Sequence, residues 1–193
     1  MLNRLNREMA AYFAGLYPGE SKVLVFGEGQ AGAPLMLIGE APGQQEALAG
    51  RPFVGKAGKN LDLFLEKTGF DRSQLYITNT VKFRPTRVSP AGRTVNRPPS
   101  REEVALFLPW LQREIRLVAP ACLVTLGNTA LQALLDRDAT VGALHGAFQR
   151  AMDLPLFPLY HPASLIYNPR LAPQYQQDLE RLAQWRIASN VKF

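Results

Sequence analysis

Apolar residues recur at helical spacing over residues 2–16, where Leu2, Leu5, Met9, Tyr12, Phe13 and Leu16 fall on one stripe before Pro18 and Gly19. Val23-Leu24-Val25-Phe26 reads as a short strand ahead of a Gly27-Glu28-Gly29 turn. Leu35 to Ile38 is an unbroken apolar run, the pattern of a strand buried on both faces. Gly39 and the turn Glu40-Ala41-Pro42-Gly43 stop it. A helix is expected from about Lys59 to Lys67, with Leu61, Phe64 and Leu65 on one face and Gly69 as its cap. Tyr76 to Val81 is rich in β-formers and predicts the second core strand. From Lys82 to Ser100 the prolines Pro85, Pro90, Pro98 and Pro99 interrupt any period, so this stretch is expected to be irregular. Ser100 then caps a helix to about Val118, with Glu102 and Glu103 in the first turn, where the helix dipole favours acids. Ala121 to Leu126 predicts a third strand, ended by Gly127, and Asn128 to Leu135 a helix. Leu154 to Tyr160 predicts a fourth strand that breaks at His161-Pro162, and Ala172 to Ala188 a last amphipathic helix.

Strands and helices alternate without internal repeats, which predicts an α/β fold with a parallel sheet between helix layers. The 193 residues suffice for one domain, expected over the whole chain, 1–193. No apolar run is long enough to span a membrane, and Arg4 and Arg7 interrupt the start where a signal peptide would be apolar, so a cytoplasmic location is expected. The net charge of +6 suits nucleic acid or a small anionic ligand equally. The only cysteine, Cys122, lies in the apolar run Ala121-Cys122-Leu123-Val124 and reads as a small buried hydrophobe. One thiol excludes an internal disulfide and any four-thiolate metal site.

Candidate chemistry concentrates after the first core strand. Between Gly39 and Gly58 the chain is glycine-rich and carries one aromatic, Phe53, before the next helix. A strand end opening through such a loop into a helix is a frequent ligand site in α/β sheets, because bare backbone can approach a ligand closely. The alternative is a surface loop of turn residues. Glu40, Phe53, Asn79 and His161 all fall at or after strand ends, which this topology would gather along one edge. The basic stretch with Lys82, Arg84, Arg87, Arg93 and Arg97 either contacts phosphates or is solvated.

Five segments taken in order, GEAPGQQE, GRPFVGKAG, ITNTVKFRP, GN-TAL and YHPASL, resemble the family 4 uracil-DNA glycosylases over about Val25 to Pro169. That resemblance implies a three-layer α/β/α sandwich around a mainly parallel four-stranded sheet. It also implies an enzyme that flips uracil out of DNA and hydrolyses its glycosidic bond to start base excision repair. Glu40 and His161 would be the catalytic residues, and Ala41, Glu46, Phe53, Asn79 and His161 would bind uracil. Phe53 would stack on the ring, and the Asn79 amide would pair with O4 and N3–H, a pattern cytosine inverts. His161 would donate to O2 as charge builds there. Glu40 would orient water or stabilise the sugar cation, and Glu46 would stand at the C5 side against thymine. Either acid could instead be a plain loop carboxylate. Ala41 stands where the best-known uracil glycosylases carry an aspartate. Lys56, Arg84, Arg87, Ser164 and Leu165 would contact DNA, with Ser164 and Leu165 on a wedge loop that fills the vacated stack. The implied partners are uracil-containing DNA, single- or double-stranded, and free uracil as product, with no membrane and a monomeric protein.

The chain departs from the family pattern where family 4 members carry four cysteines around a [4Fe–4S] cluster. Phe83 and Phe107 replace two of them, and residues 10–16 hold no cysteine, so neither metal nor cofactor is expected. Packing of Phe83 and Phe107 with Tyr12 or Phe13 is expected in the cluster's place. Ala47 and Tyr167 replace an aspartate and an arginine usual in relatives, which alters DNA contact. His145 reads as structural. Two rival readings stand beside excision of uracil: a module that binds uracil-containing or damaged DNA without cutting, and a same-fold glycosylase for hypoxanthine or mismatched thymine.

Overall fold

The computed structural model describes residues 1–19 and 22–189, apart from the side chains of residues 63, 64, 67 and 68. The expected position of Phe64 on the helix face therefore lies outside the described side chains. The elements in chain order are α1 (Leu2–Leu16), β1 (Leu35–Gly39), α2 (Gln44–Ala49), α3 (Lys56–Thr68), β2 (Tyr76–Asn79), β3 (Thr86–Val88) and β4 (Thr94–Asn96). They continue with α4 (Arg101–Val118), β5 (Cys122–Leu126), α5 (Asn128–Leu134), α6 (Val141–Leu144), β6 (Gln149–Ala151), β7 (Leu154–Leu159), α7 (Ser164–Tyr167) and α8 (Ala172–Ala188).

The main sheet runs β2-β1-β5-β7-β6, with the first four strands parallel and β6 antiparallel at the edge. Alternate side chains of the buried strands serve opposite layers. Leu35, Leu37, Val124 and Phe157 pack with Leu61 and Leu65 of α3 and with Tyr175, Leu179 and Leu182 of α8. Met36, Ile38, Leu123 and Leu156 pack on the other side with Leu111, Ile115 and Val118 of α4 and with Ala130 and Leu131 of α5. The result is the expected three-layer α/β/α sandwich. Helix α1 then covers α4 from outside through Met9, Phe13 and Phe107.

Three expectations are corrected. The sheet has five strands, because Gln149-Arg150-Ala151 pairs at an edge, where a strand needs no apolar alternation. Val23 to Phe26 does not form a strand. The chain meets β2 only at a Glu28–Ile77 bridge, with one further bond from Val25 N–H to the Lys82 carbonyl. Gly27 packs too tightly on Tyr76 for a pleated neighbour: a Cβ there would lie 2.6 Å from the tyrosine ring. The proline-rich stretch carries a two-stranded hairpin of β3 and β4, whose ladder uses only non-proline positions. Arg97 anchors it, donating to the Thr86 carbonyl and pairing with Glu103 at 2.6 Å.

Ser100 caps α4 as expected. Its Oγ accepts from the Glu103 N–H at 3.2 Å, and the Glu103 carboxylate accepts from the Ser100 N–H at 2.7 Å. Pro109 lies inside this helix on its exposed side, so the carbonyl the proline cannot bond is on the solvent face.

Candidate active site

A cleft of about 620 Å³ opens where the parallel strands end. Glu40, Ala41, Glu46, Phe53, Lys56, Asn79 and His161 all line it, so residues spread over 122 positions, from 40 to 161, meet in one place. Arg84, Arg87, Ser164 and Leu165 do not line it.

Glycines set the geometry. Gly39, the last residue of β1, leaves the space that the Asn79 amide and the Phe53 ring share, since a Cβ there would lie 2.4 Å from Asn79 Oδ1 and 2.6 Å from Phe53 Cζ. Gly58, inside α3, lets the Phe53 backbone approach to a distance no side chain would allow, with a Cβ falling 1.8 Å from the Phe53 carbonyl oxygen. Phe53 itself is held at φ 52°, a conformation that disfavours a bulky residue and costs of the order of 1–3 kcal/mol. Packing fixes the ring, which is 5% exposed and 5.7 Å from the His161 ring at a 30° tilt.

His161 begins a tight turn. Ser164 donates to the His161 carbonyl through both N–H and hydroxyl, and the Ala163 N–H donates to His161 Nδ1 at 3.1 Å. That last bond makes Nδ1 an acceptor and leaves the ring proton on Nε2. Burial pushes the His161 pKa down to about 4, against a partial upward pull from the Glu46 carboxylate. The imidazole is therefore neutral at physiological pH and presents a single N–H donor.

The two acids differ in their fixation. Glu46 spends both oxygens on backbone: Oε2 accepts from the Gly43 N–H at 3.1 Å and Oε1 from the Gly55 N–H at 2.8 Å. It ties the two halves of the glycine loop together, so the loop-carboxylate alternative describes its bonding. Among the described residues Glu40 is held by one side-chain bond, from the Thr129 hydroxyl at the start of α5 to Oε2 at 2.5 Å. The Asn79 side chain, 2% exposed, makes no hydrogen bond to the described residues.

Several supporting residues escaped the sequence reading. Thr129 lay within the GN-TAL segment without an assigned task, and Asn96 of β4 lines the cleft and accepts from Arg84 Nε at 2.6 Å. Lys82, read with the basic loop, is fully buried and paired with Glu114 of α4 at 2.6 Å. An acid set among Leu111, Ile115 and Val118 on a buried helix stripe was the available signal. The residues expected on the wedge loop face in different directions. The short helix α7 turns Leu165 inward against the core at 8% exposure, while Ile166 and Tyr167 point outward at 42% and 87%. His145 lies apart from the cleft, bonded through Nδ1 to buried Asp178 at 2.7 Å and through Nε2 to Gln174.

The place of the expected aromatic packing is filled by Phe13 stacked on Phe107 with centroids 4.2 Å apart, and by Phe83 at 5.6 Å from Phe107. Tyr12 joins at the rim against Phe13 and Trp110. With one cysteine in the chain, buried on β5 in a different core cluster from these rings, the donor set does not fit an iron–sulfur cluster. Among the described residues no group of three or more His, Cys, Asp or Glu side chains could hold a metal, and no helix is long and apolar enough to cross a membrane.

At the strand ends of this α/β sandwich the cleft brings together an aromatic ring, a buried amide and a neutral histidine. Residues 26–184 match the uracil DNA glycosylase superfamily, and the chain belongs to that family, a class of N-glycosidic hydrolases. It is 37% identical over 166 residues to the type-4 uracil-DNA glycosylase of Pyrobaculum aerophilum, covering 82% of this chain and 81% of that one. To the type-4 enzyme of Sulfurisphaera tokodaii it is 34% identical over 170 residues, covering 83% and 74%. The crystal structure of Pedobacter heparinus SMUG2 shares the fold with a TM-score of 0.58 at 16% identity, over 96% of this chain and 83% of that one.

Proposed function

We propose that the protein excises uracil from DNA by hydrolysing its N-glycosidic bond, the opening step of base excision repair. The observation that carries this reading is the meeting of Phe53, Asn79, His161 and Glu40 in one cleft. A flipped uracil would stack on Phe53 and pair its O4 and N3–H with the Asn79 amide. Cytosine would set donor against donor there. As the C1′–N1 bond breaks, its electron pair passes into the base and negative charge gathers on O2. The His161 Nε2–H stabilises that charge without a proton having to leave bulk solvent. Glu40, oriented by Thr129, faces the sugar cation or the incoming water; the water's oxygen adds to C1′ and its protons balance the uracil anion and the new hydroxyl. With Ala41 in the aspartate's position, stabilisation of the leaving group carries most of the rate. Glu46, occupied by backbone, keeps the loop at the C5 edge in place. Lys56, Arg84, Arg87 and Ser164 supply the flanking DNA contacts, and Ile166 and Tyr167 are the exposed candidates for the wedge.

Labelled single- and double-stranded oligonucleotides carrying uracil, hypoxanthine or a G·T mismatch test the reading through alkali-labile abasic sites. Cutting at uracil alone is expected. Binding without cutting would overturn the enzyme reading, and cutting at hypoxanthine but not uracil would reassign the base.

A further inference from the structure

Behind Asn79 lies an ion pair that the chemistry above does not use. Lys82 is 0% exposed and Glu114 1% exposed. All three ammonium protons have acceptors: Glu114 Oε2 at 2.6 Å, Thr78 Oγ1 at 2.5 Å and the Asn79 carbonyl at 2.8 Å. The carboxylate also accepts from the Tyr76 hydroxyl at 2.9 Å and from the Thr78 hydroxyl at 3.3 Å. Burial, reinforced by this carboxylate, holds the tyrosine far above its ordinary pKa, so it remains a donor. Removing two charges from water this completely is expensive, and apolar residues of similar volume would stabilise a scaffold as well or better. A wholly structural purpose therefore explains the pair poorly.

Its position explains it better. Two ties lock the peptide that follows Asn79: Lys82 holds its carbonyl, and Thr80 gives both N–H and hydroxyl to the Gly39 carbonyl at 2.8 Å. The Val81 N–H donates to the Glu40 carbonyl at 3.0 Å, so the same strand end is fastened to the backbone of the catalytic candidate. On the cleft side the Asn79 amide is confined by Gly39 and Phe53, yet it has no bond to the described residues that fixes which end faces the base. We infer that Lys82, supported by Glu114, is a positioning residue that sets the backbone from which the Asn79 amide reads the base. The inference rests on the uracil reading above. A buried cation on the carbonyl resists rotation of that peptide, so the amide meets the base already aligned rather than being aligned by it.

The test is Lys82→Met combined with Glu114→Gln, which removes both charges and the bond to Asn79 while the glutamine still serves Tyr76 and Thr78. Wild-type cutting of uracil in the same assay establishes the reading itself. The double variant is expected to keep the wild-type circular dichroism and cooperative melting. Its single-turnover excision of uracil should fall about 100-fold with KM within a few-fold, the size expected of a slightly misplaced group. Its preference for uracil over cytosine should narrow as well. Thr78→Val, which removes one lysine acceptor without unpairing a charge, should lower the same rate several-fold and decides the matter if the double variant does not fold. A folded variant with the wild-type rate and wild-type discrimination would overturn the inference, and so would a loss confined to KM.

Discussion

Two buried assemblies flank the end of β2, and they are built on opposite principles. Val81 and Phe83 turn into an apolar cluster with Met9, Phe13 and Phe107, while Thr78 and Lys82 turn into the ionic network with Glu114 and Tyr76. Both assemblies draw on one stripe of α4, with Phe107 at one end and Glu114 seven residues further on. The aromatic cluster is held by area and shape, which are non-directional, so it supports a loop without dictating angles. The ionic network is held by bonds of fixed direction to particular atoms, one of them the Asn79 carbonyl. Support at the aromatic positions is thus met by non-directional phenylalanine packing, whereas support behind the Asn79 amide, which we propose reads the base, demands direction.

The largest effect should come from breaking the ionic side. Glu114→Ala leaves Lys82 buried without its counter-charge and should cost about 3–5 kcal/mol, read as a lower denaturation midpoint. Breaking the aromatic side more gently, Phe107→Leu should cost about 1–2 kcal/mol through lost area and a small void. Its uracil excision rate per folded molecule should remain at the wild-type level, so a large loss of rate would show that the cluster also aligns the cleft. The smallest change is in pH. His161 has a pKa of about 4 in the native protein against 6.5 when unfolded, so the unfolded chain binds a proton the native chain refuses. Its contribution to stability is complete above about pH 6.5 and is lost as the pH falls through 4. Excision through a neutral Nε2–H should accordingly stay level from pH 8 to about 5; half-loss near 6.5 would mean an imidazole that titrates as if exposed.

Much of the fold was legible because the core strands are largely apolar and the ends of α3 and α4 carry cap residues, Gly69 and Ser100: Leu35–Ile38, Tyr76–Asn79, Cys122–Leu126 and Leu154–Leu159 stand where their patterns put them. Edge features were not. β6, the β3–β4 hairpin and the irregular path of residues 23–26 depend on what lies beside them, which local pattern does not carry. The residues of the cleft itself could be read from motif spacing, since strand ends in a parallel sheet converge. Their supports could not: the partnership of Lys82 with Glu114 spans 32 positions, and that of Thr129 with Glu40 spans 89. The facing of Leu165 was illegible for a related reason, because a four-residue helix decides which of three consecutive apolar side chains turns inward.

Single-turnover excision of uracil by the wild-type protein and by Asn79→Asp, on one oligonucleotide at neutral pH, tests the account most directly. The substitution keeps the shape and replaces the amide donor with an oxygen that repels uracil O4, so the rate per folded molecule should fall by about 100-fold or more, while melting stays cooperative at a lower midpoint because the buried carboxylate has no partner. Equal rates for the two proteins would contradict the assignment of Asn79 as the residue that reads the base.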